Sequence, residues 1–403
     1  MNIATLSLHT ALFTVSTVAG IFGGAPHVNH GSLTQTPTSS IIHLTTCPGA
    51  LTRSGSYILG TDLTQATPTT PCISVHGVSG ISINCAGHSI AVRAGPVPIS
   101  FYNASNFAVK NCKLPLPIGV TASNNGSILN NRFSFPPGSG QSIRLSGSNL
   151  TFRSNTITNG VVILKTVSSA TVTANAVSAD PTVNSATISG VIELDSSNNN
   201  TLTNNRIDGN WHSTPEQGPG ADDGFMLRSS SGNYVANNSI QNVFDCGIET
   251  IGQASDEQFL NNTITNAGYC GIGGWFWNSW LNNTVQGNVA SDTRLLFQMY
   301  VNTDFPFSSD KQPATIYFKD NHFTSNIFSS GTPSNTNSAN INYASEFLPA
   351  GITAVTGNNS FKSNNFSKFD MGPSLRPQSM IVDLGGNICA PIHPSDPPSI
   401  VCH

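Results

Sequence analysis

The sequence predicts an all-β fold, a parallel β-helix (β-solenoid) in which short strands stack coil upon coil. Composition is the first observation behind this prediction. Only 9% of the 403 residues are charged, about a third of the usual share, while Asn, Ser, Thr and Gly are abundant. The 36 glycines and 24 prolines suit many short strands separated by turns, and a hydrophobic content of 38% is enough for a large core.

A repeated short motif is the second observation, and its spacing is the third. The motif places apolar residues on both sides of an asparagine, as in SILNNRF, LTNNRI, VANNSI and LNNTI. The repeating asparagines are Asn131, Asn155, Asn175, Asn205, Asn238, Asn262 and Asn283, with Asn111, Asn321 and Asn365 as further candidates. Most of them follow one another at about 20 to 24 residues, the length of one solenoid coil.

Stacking explains why one residue type recurs at one place in each coil. Strands in neighbouring coils lie about 4.8 Å apart, so equivalent residues fall on top of one another. Asparagine tolerates the left-handed bend at a corner, and its side-chain amide can hydrogen-bond to the asparagines above and below. We therefore expect a structural ladder of asparagines with no chemical role.

The eight cysteines are expected to form disulfides. They are Cys47, Cys72, Cys85, Cys112, Cys246, Cys270, Cys389 and Cys402. Their number is even and no C-x-x-C pair occurs, which favours disulfides over zinc, with buried free thiols as the alternative. The pairing stays open, but Cys246 and Cys270 are one repeat apart and could stack as neighbours.

Four segments are expected along the chain. Residues 1–24 have the apolar stretch and small final residues of a signal peptide, without a preceding Lys or Arg. Residues 25–46 would form a flexible N-terminal segment, 47–365 the β-helix, and 366–403 a proline-rich tail that caps the open end. No later stretch stays apolar for the roughly 18 to 20 residues that a membrane span needs. We therefore expect a secreted protein.

The opening coils resemble those of secreted bacterial and fungal β-helix proteins of the pectin-lyase-like superfamily. The chain reads CPGALTRSGSYILGTDLTQ from Cys47 and PCISVHGVSGISINCAGHSIAV from Pro71. The resemblance extends over about Cys47 to Asn365 and implies a right-handed single-stranded parallel β-helix with disulfide-stabilised ends. That superfamily contains lyases, hydrolases, epimerases, transferases and phage adhesins, so the fold leaves the activity open.

The motifs of the best-known relatives are mostly missing. Polygalacturonases carry N-T-D, D-D, G-H-G and R-I-K in successive coils, and only the doublet Asp222-Asp223 matches here. Arg206-Ile207 is followed by Asp208 instead of lysine, and no G-H-G follows the doublet. The D-P-H-D signature of β-helix epimerases is absent. Neither activity is therefore expected.

The charge balance argues against two classes of partner. The formal charge is -4, and the 16 Lys and Arg form no basic stripe, so nucleic-acid binding is not expected. Carboxylated sugars are usually held by several Arg or Lys, so a neutral poly- or oligosaccharide is the favoured substrate. The oligomeric state stays open.

Candidate chemistry concentrates where the repeat is interrupted. The asparagine spacing widens to 33 residues between Asn205 and Asn238. This gap contains DGNWHSTPEQGPGADDGFML, and insertions in a solenoid tend to wall a groove. The predicted catalytic residues in or near it are Asp222, Asp223, Asp245 and Glu249.

Aligning the coil starts DDGFML, DCGIET and YCGIGGW places Asp222 and Asp245 on stacked rungs. Asp223 then lies over Cys246 and Cys270. Strand alternation turns Phe225 and Leu227 inward, and Glu193, Met226, Glu249 and Gly273 outward.

Two carboxylate pairs follow from this register. Asp222 and Asp245, one rung apart, suit the roughly 5 to 5.5 Å of a retaining glycosidase. Glu193 and Glu249, two rungs or about 9 to 10 Å apart, are nearer to an inverting pair. Stacked like charges raise one pKa, which suits a general acid. The alternatives are aspartates that cap turns or bind calcium.

Predicted substrate-binding residues surround the acids. Trp211, Trp275 and Trp277 would offer flat platforms to sugar rings, with burial in the core as the alternative. Arg228 could orient a ligand or form an ordinary salt bridge. The remaining candidates are Glu193 and His212, of which His212 could equally be a plain surface residue.

The sequence thus predicts a secreted glycoside hydrolase or related glycosyl-transferring enzyme that acts on a neutral polysaccharide through a carboxylate acid/base pair. One alternative is a polysaccharide lyase on a uronate glycan, with calcium and Arg228 as base. Another is a non-catalytic glycan-binding surface protein. No cofactor is required, although calcium could bind the acidic cluster.

Overall fold

The computed structural model describes residues 41–65, 69–91, 97–185, 189–212, 218–299, 301, 313–331, 338–367 and 373–389. Within these residues the regular secondary structure is almost entirely β-strand, arranged in three long sheets and one two-stranded sheet. Strands pair in parallel with the equivalent strands of neighbouring coils. The predicted parallel β-helix is therefore confirmed.

The first sheet has 14 strands. They are Ile41–Leu44, Gly55–Leu59, Ile81–Asn84, Ala108–Lys110, Ser127–Leu129, Thr151–Arg153, Thr171–Thr173, Thr201–Thr203, Tyr234–Ala236, Gln258–Leu260, Thr284–Gln286, His322–Thr324, Asn359–Lys362 and Ile381–Asp383. The second sheet has 11 strands. They are Lys113–Leu114, Arg132–Ser134, Thr156–Thr158, Ala176–Ser178, Arg206–Asp208, Ser239–Val243, Thr263–Ala267, Val289–Thr293, Ile327–Gly331, Asn365–Phe366 and Ile388–Cys389.

The third sheet has 15 strands. They are Gly49–Leu51, Ile73–His76, Ile99–Tyr102, Gly119–Asn124, Gln141–Ser148, Gly160–Ser168, Gly190–Asp195, Asp223–Ser231, Cys246–Ser255, Cys270–Leu281, Leu295–Met299, Thr315–Lys319, Ala339–Asn342, Thr353–Gly357 and Ser374–Arg376. Leu63–Thr64 and Ile90–Ala91 form the two-stranded sheet, and Ser345–Phe347 and Gln378–Met380 are short 3₁₀ helices.

Each full coil passes through the third, first and second sheets in turn. Asp223–Ser231, Tyr234–Ala236 and Ser239–Val243 make up one such coil. Apolar side chains from all three sheets fill its interior, and each buried one stabilises the fold by roughly 1.5 to 3 kcal/mol. Aromatic rings stack along the axis in the same way, for example Phe323 on Phe361 at 4.5 Å.

Two buried asparagine ladders, rather than one, run along corners of the described part of the solenoid. Hydrogen bonds of 2.8 to 3.1 Å, donated by a side-chain amide or a backbone N–H to the next side-chain oxygen, join successive members within each ladder. The ladder before the second sheet consists of Asn131, Asn155, Asn175, Asn205, Asn238, Asn262, Asn288, Asn326, Asn364 and Asn387. The ladder before the first sheet contains Asn200, Asn233, Asn283, Asn321 and Asn359, with Glu257 in one asparagine position.

The predicted ladder of hydrogen-bonded asparagines is thus confirmed, but some of its predicted members are wrong. Asn283 and Asn321 belong to the ladder before the first sheet. In the ladder before the second sheet, Asn364 rather than Asn365 occupies the position near the C-terminus. Asn111 bonds to Asn84 instead. The sequence motif hides this because both corners carry an Asn between apolar residues.

Disulfides join equivalent residues of adjacent coils. The pairs are Cys47–Cys72, Cys85–Cys112 and Cys246–Cys270, so the predicted stacking of Cys246 on Cys270 is confirmed. Cys389 is also disulfide-bonded, and Cys402 lies outside the described residues.

The ladders of strands extend beyond the predicted range 47–365. Ile41–Leu44 already pairs with Gly55–Leu59, and three strands after residue 373 continue the three sheets. The segments 1–24 and 25–40 and the last residues, 390–403, lie outside the described residues. Among the described residues, no helix has the length and apolar character that crossing a bilayer requires.

The third sheet divides at Cys270–Leu281. Its first half pairs with Leu295–Met299 and its last residues with Thr315–Lys319. Between the two branches opens a cleft of about 650 Å³ that is lined by residues including Tyr343, Glu346 and Arg376. It contains none of the residues that the sequence predicts for a site.

Candidate active site

The predicted acids come together at the start of strands in the third sheet. Phe225 pairs with Ile248, and the N–H of Asp245 donates to the carbonyl of Asp222 at 2.8 Å. The predicted stacking of Asp222 on Asp245 is therefore confirmed. The carboxylate of Asp223 accepts a hydrogen bond from the N–H of Cys246 at 3.1 Å, as expected for residues in one column.

The strand faces are also as predicted, but the outer face is not open. Phe225 and Leu227 belong to the main core cluster, whereas Met226 and Glu249 do not. Met226 and Glu249 are nevertheless buried, with Glu249 3% exposed and Asp223 1% exposed. Asp222 and Asp245 are only partly buried. The expectation that all four acids line an accessible wall is therefore wrong, and only Asp222 and Asp245 retain access to solvent.

Burial dominates the electrostatics of the accessible pair. It raises the pKa of Asp222 to about 7 and that of Asp245 well above its ordinary value. The charge of Asp222 raises the pKa of Asp245 further, and Arg294 opposes that rise. Oδ1 of Asp222 is buried and has no hydrogen-bond partner among the described residues. Such a carboxyl can carry a proton at neutral pH and give it to a ligand.

The buried acids form a pair of their own. The carboxyl groups of Asp223 and Glu249 are hydrogen-bonded to each other, so at least one of them carries a proton. Burial, followed by neighbouring carboxylate charges, raises the pKa of both well above their ordinary values. Asp223 and Glu249 are thus the buried acids of the cluster, and they do not reach solvent themselves.

The Cys246–Cys270 disulfide braces the cluster. Its Cα atoms are 4.5 Å apart, which gives the rung spacing at this place, and Sγ of Cys246 lies 3.3 Å from Oδ1 of Asp245. Gly273 completes the arrangement, because a Cβ there would lie 2.6 and 2.8 Å from the two sulfur atoms. The disulfide and the glycine thus fix the backbone on which Asp245 stands.

An aromatic column borders the acids. Trp211, Phe244, Tyr269 and Trp275 contact one another edge to face, with centroid distances of 5.9, 5.8 and 6.2 Å. Trp211 is 5% exposed, so its predicted role as an open platform is wrong and it supports Phe244 instead. Phe244, Tyr269 and Trp275 are partly exposed.

The expected pairing of Trp275 and Trp277 on one strand face stays a prediction, and the backbone between the two residues is irregular. Phe276 has a φ of 66°, and the register shifts by two residues between the pairs Ile251–Trp275 and Gln253–Ser279. Period-two alternation is broken by this bulge. The side chain of Trp277 lies outside the described residues.

The remaining predicted substrate-binding residues lie outside the cluster of four acids. Glu193 and Glu249 share one column two rungs apart, as predicted, but the buried Met226 occupies the rung between them. Burial and Asp195 raise the pKa of Glu193, and Arg228 lowers it. His212 is exposed.

Sequence reasoning missed Arg294 and Tyr269. Cys270 pairs with Leu295, so Asp222, Asp245, Tyr269 and Arg294 hold equivalent positions in four successive coils. The signal was present, because RLLFQ aligns with YCGIG when the comparison is carried one coil further. Within the described part of the chain, no three His, Cys, Asp or Glu side chains are grouped to hold a metal ion.

Comparison with known proteins bears on the fold. Residues 178–305, which include the acids, match the family described as right handed beta helix region. No curated protein has a matching sequence.

Solved structures show distant likeness. A hyperthermoactive exopolygalacturonase from Thermotoga maritima is 12% identical with a TM-score of 0.47, over 65% of this chain and 82% of its own. An alginate lyase from Paenibacillus sp. str. FPU-7 is 11% identical with a TM-score of 0.41, over 86% and 98%. The A-module of the Azotobacter vinelandii mannuronan C-5 epimerase AlgE6 is 14% identical with a TM-score of 0.41, over 88% and 92%.

The family match and the three parallel sheets lead to one conclusion about the fold. This chain is a right-handed parallel β-helix, the fold of the pectin-lyase-like proteins that its opening coils resemble.

Proposed function

We propose that this protein is a secreted glycoside hydrolase that acts on a neutral polysaccharide, with Asp222 and Asp245 as the carboxylate pair that supplies the general acid and the nucleophile. One observation carries the proposal. Two partly exposed aspartates are stacked one rung apart, with perturbed pKa values, beside a column of partly exposed aromatic rings. Carboxylate pairs cleave glycosidic bonds, and flat apolar rings hold the C–H faces of sugars.

The spacing supports a retaining mechanism. One rung is about 4.8 Å, near the roughly 5 to 5.5 Å between the carboxyls of retaining enzymes. The protonated member of the pair would protonate the glycosidic oxygen while the ionised member bonds to the anomeric carbon and the leaving sugar departs. The first carboxylate would then take a proton from water, whose oxygen displaces the second carboxylate from that carbon. In the two-rung alternative, Glu193 with Glu249, the buried Met226 occupies the rung between the two acids, and Glu249 is itself buried.

The balance of charges at the site supports a neutral substrate. Lys165 forms an ion pair with Asp195 at 3.2 Å, Arg228 interacts electrostatically with Glu193, and Arg294 with Asp245. These cations are neutralised by acids of the protein. A uronate would have to compete with those acids for its counter-charge.

Secretion is part of the proposal because of the disulfides. Three interstrand disulfides persist most readily in an oxidising compartment.

The test is a screen of the full-length protein against neutral and acidic polysaccharides, with reducing ends and absorbance near 230 nm read together. We expect new reducing ends on a neutral glycan without absorbance, and products that retain the anomeric configuration by NMR. D222N and D245N should each lower the rate by at least about 100-fold. D256N is the matched control, since Asp256 is exposed at another corner of the same coil and its side chain accepts a hydrogen bond from the side chain of Asn282.

Other outcomes would contradict the proposal in distinct ways. Absorbing products from a uronate glycan would establish a lyase instead. Unchanged rates in D222N and D245N would remove the acid pair from the chemistry. Binding of a glycan without any product would indicate a non-catalytic surface protein.

A further inference from the structure

The third sheet is interrupted in one coil, and the cleft described above lies at the interruption. In that coil the strand Ala339–Asn342 is separated from the strand Thr353–Gly357 by the inserted segment 343–352. Cys246–Ser255 and Cys270–Leu281, by contrast, each cross the sheet as one unbroken strand. Insertions in a solenoid tend to wall a groove, and residues of this insertion line the cleft of about 650 Å³.

The floor of the cleft is buried and held in place. Tyr343, which is 2% exposed, donates its hydroxyl hydrogen to Oδ1 of Asn278 at 2.6 Å, and its ring stacks on that of Phe318 at 4.7 Å. Its backbone N–H donates to the carbonyl of Arg376 in the next coil at 2.8 Å. These contacts tie two coils together around the cleft. Its shape is therefore largely formed before a ligand binds, which lowers the entropic cost of binding.

The lining of the cleft combines polar and apolar groups. Ser345, Glu346 and Thr353 are exposed at its edge, whereas Ala344 and Ile352 are buried. Hydroxyl and carboxylate oxygens accept hydrogen bonds from sugar hydroxyls, and apolar surface contacts the C–H faces of sugar rings. A lining of both kinds suits a carbohydrate.

The charges of the lining are balanced. Among the described residues that line the cleft, the charged side chains are Glu346 and Arg376. Arg376 lies over the ring of Phe347, 5.7 Å from its centroid, and Phe347 is 48% exposed. The carboxylate can accept hydrogen bonds from hydroxyls, and the guanidinium can donate them. A charged sugar would also meet a charge of its own sign, so the lining favours a neutral one.

We propose that this cleft is a second glycan site, which binds a neutral oligosaccharide without cleaving it. Its described lining offers one carboxyl group, and glycosidases need a pair. The strand Ala339–Asn342 is the third after Cys246–Ser255 in the sheet, so the cleft lies about 14 Å along the axis from the coil of Asp245, at about 4.8 Å per rung. The inference goes beyond the proposed function and rests on it in one respect, that the glycan held here would be the one that the acid pair cleaves.

The test measures binding in D222N/D245N, in which the proposed catalysis is removed and both substitutions lie outside the cleft. Cello-, laminari-, malto-, manno- and xylohexaose are titrated by calorimetry, with hexagalacturonate as the charged comparison. We expect at least one neutral hexasaccharide to bind. Adding T353W, which fills the edge of the cleft, should remove one bound molecule per chain or weaken its binding by at least about 10-fold. E346Q, which keeps the shape of the side chain, should weaken binding by at least about threefold.

T121W is the matched control, because Thr121 is also an exposed threonine of the third sheet and lies toward its other end. It should leave both affinity and stoichiometry unchanged. Three results would overturn the proposal: no binding of any neutral hexasaccharide at up to about 5 mM, tighter binding of hexagalacturonate, or an affinity that neither T353W nor E346Q changes. A wild-type protein that binds a neutral hexasaccharide in the cleft but hydrolyses no glycan would refute the proposed function and leave the second site standing. Hydrolysis without binding in the cleft would do the reverse.

Discussion

Replacing Glu257 by glutamine should stabilise the solenoid, and the gain should grow with pH. Glu257 is fully buried and occupies an asparagine position of the ladder before the first sheet. Its carboxyl accepts hydrogen bonds from the backbone N–H and the side-chain amide of Asn233 at 2.9 and 3.1 Å. Unlike asparagine, an ionised glutamate has no hydrogen to donate to the next rung.

The magnitude follows from the raised pKa. Burial raises the pKa of Glu257 to about 8, although the two hydrogen bonds from Asn233 oppose the rise. The folded state therefore binds the proton more tightly than the unfolded chain, whose glutamates titrate near 4.3. Stability is full below about pH 4 and falls as pH rises to about 8, by about 1.4 kcal/mol per unit, or about 2 kcal/mol at pH 6 and at most about 5 kcal/mol in all. E257Q removes this loss.

Urea unfolding at pH 5, 6.5 and 8 is the assay. The difference in unfolding free energy between E257Q and wild type should increase over this series. The matched control is N262D, which places a carboxyl in the other ladder, where Asn262 bonds to Asn288, and should make stability fall with pH. An E257Q advantage that is the same at all three pH values would refute the reasoning, because a pH-independent gain cannot come from an ionising carboxyl.

Three further predictions follow from the same contacts. N238A should cost about 3 kcal/mol in urea unfolding, because the N–H and side-chain amide of Asn205 would both lose their acceptor in a buried site; a loss under 1 kcal/mol would contradict this. G273A should lower stability by about 1 to 3 kcal/mol, since the new Cβ meets both sulfurs of the disulfide, and the cost should shrink in a C246A/C270A background. D222N should raise the unfolding free energy at pH 8 by up to about 4 kcal/mol with little change at pH 4, because the pKa of about 7 means that stability is lost as pH rises from about 4 to 7. A pH-independent effect of D222N would contradict the assignment of a buried, protonated carboxyl.

The acid column could be predicted because coils of a solenoid repeat by simple translation. Once DDGFML and DCGIET are aligned, Asp222 must fall on Asp245, and the pairing of Cys246 with Cys270 follows from the same offset. The same alignment extended by one coil finds Arg294, so that residue could have been identified from the sequence.

The burial of the acids and the local register of the strands could not be predicted from the alignment of coils. Alternation correctly turns Glu249 away from the core, yet it is buried, because burial of an outer face depends on what lies against it. The bulge at Phe276 also interrupts alternation, because this residue has a positive φ and the register of its strand shifts by two residues. The sequence also gives no sign that Glu257 replaces an asparagine, since a glutamate beside a short strand is normally a surface residue.

The sequence by itself determined the solenoid, the period of its coils and the residues that share each column, because stacking at a fixed spacing turns a linear repeat into neighbours in space. Only the tertiary structure decided which acids remain accessible and which pair is sealed from solvent. Those properties arise from packing between coils and from bulges. Both are set by the whole assembly of side chains rather than by the repeat.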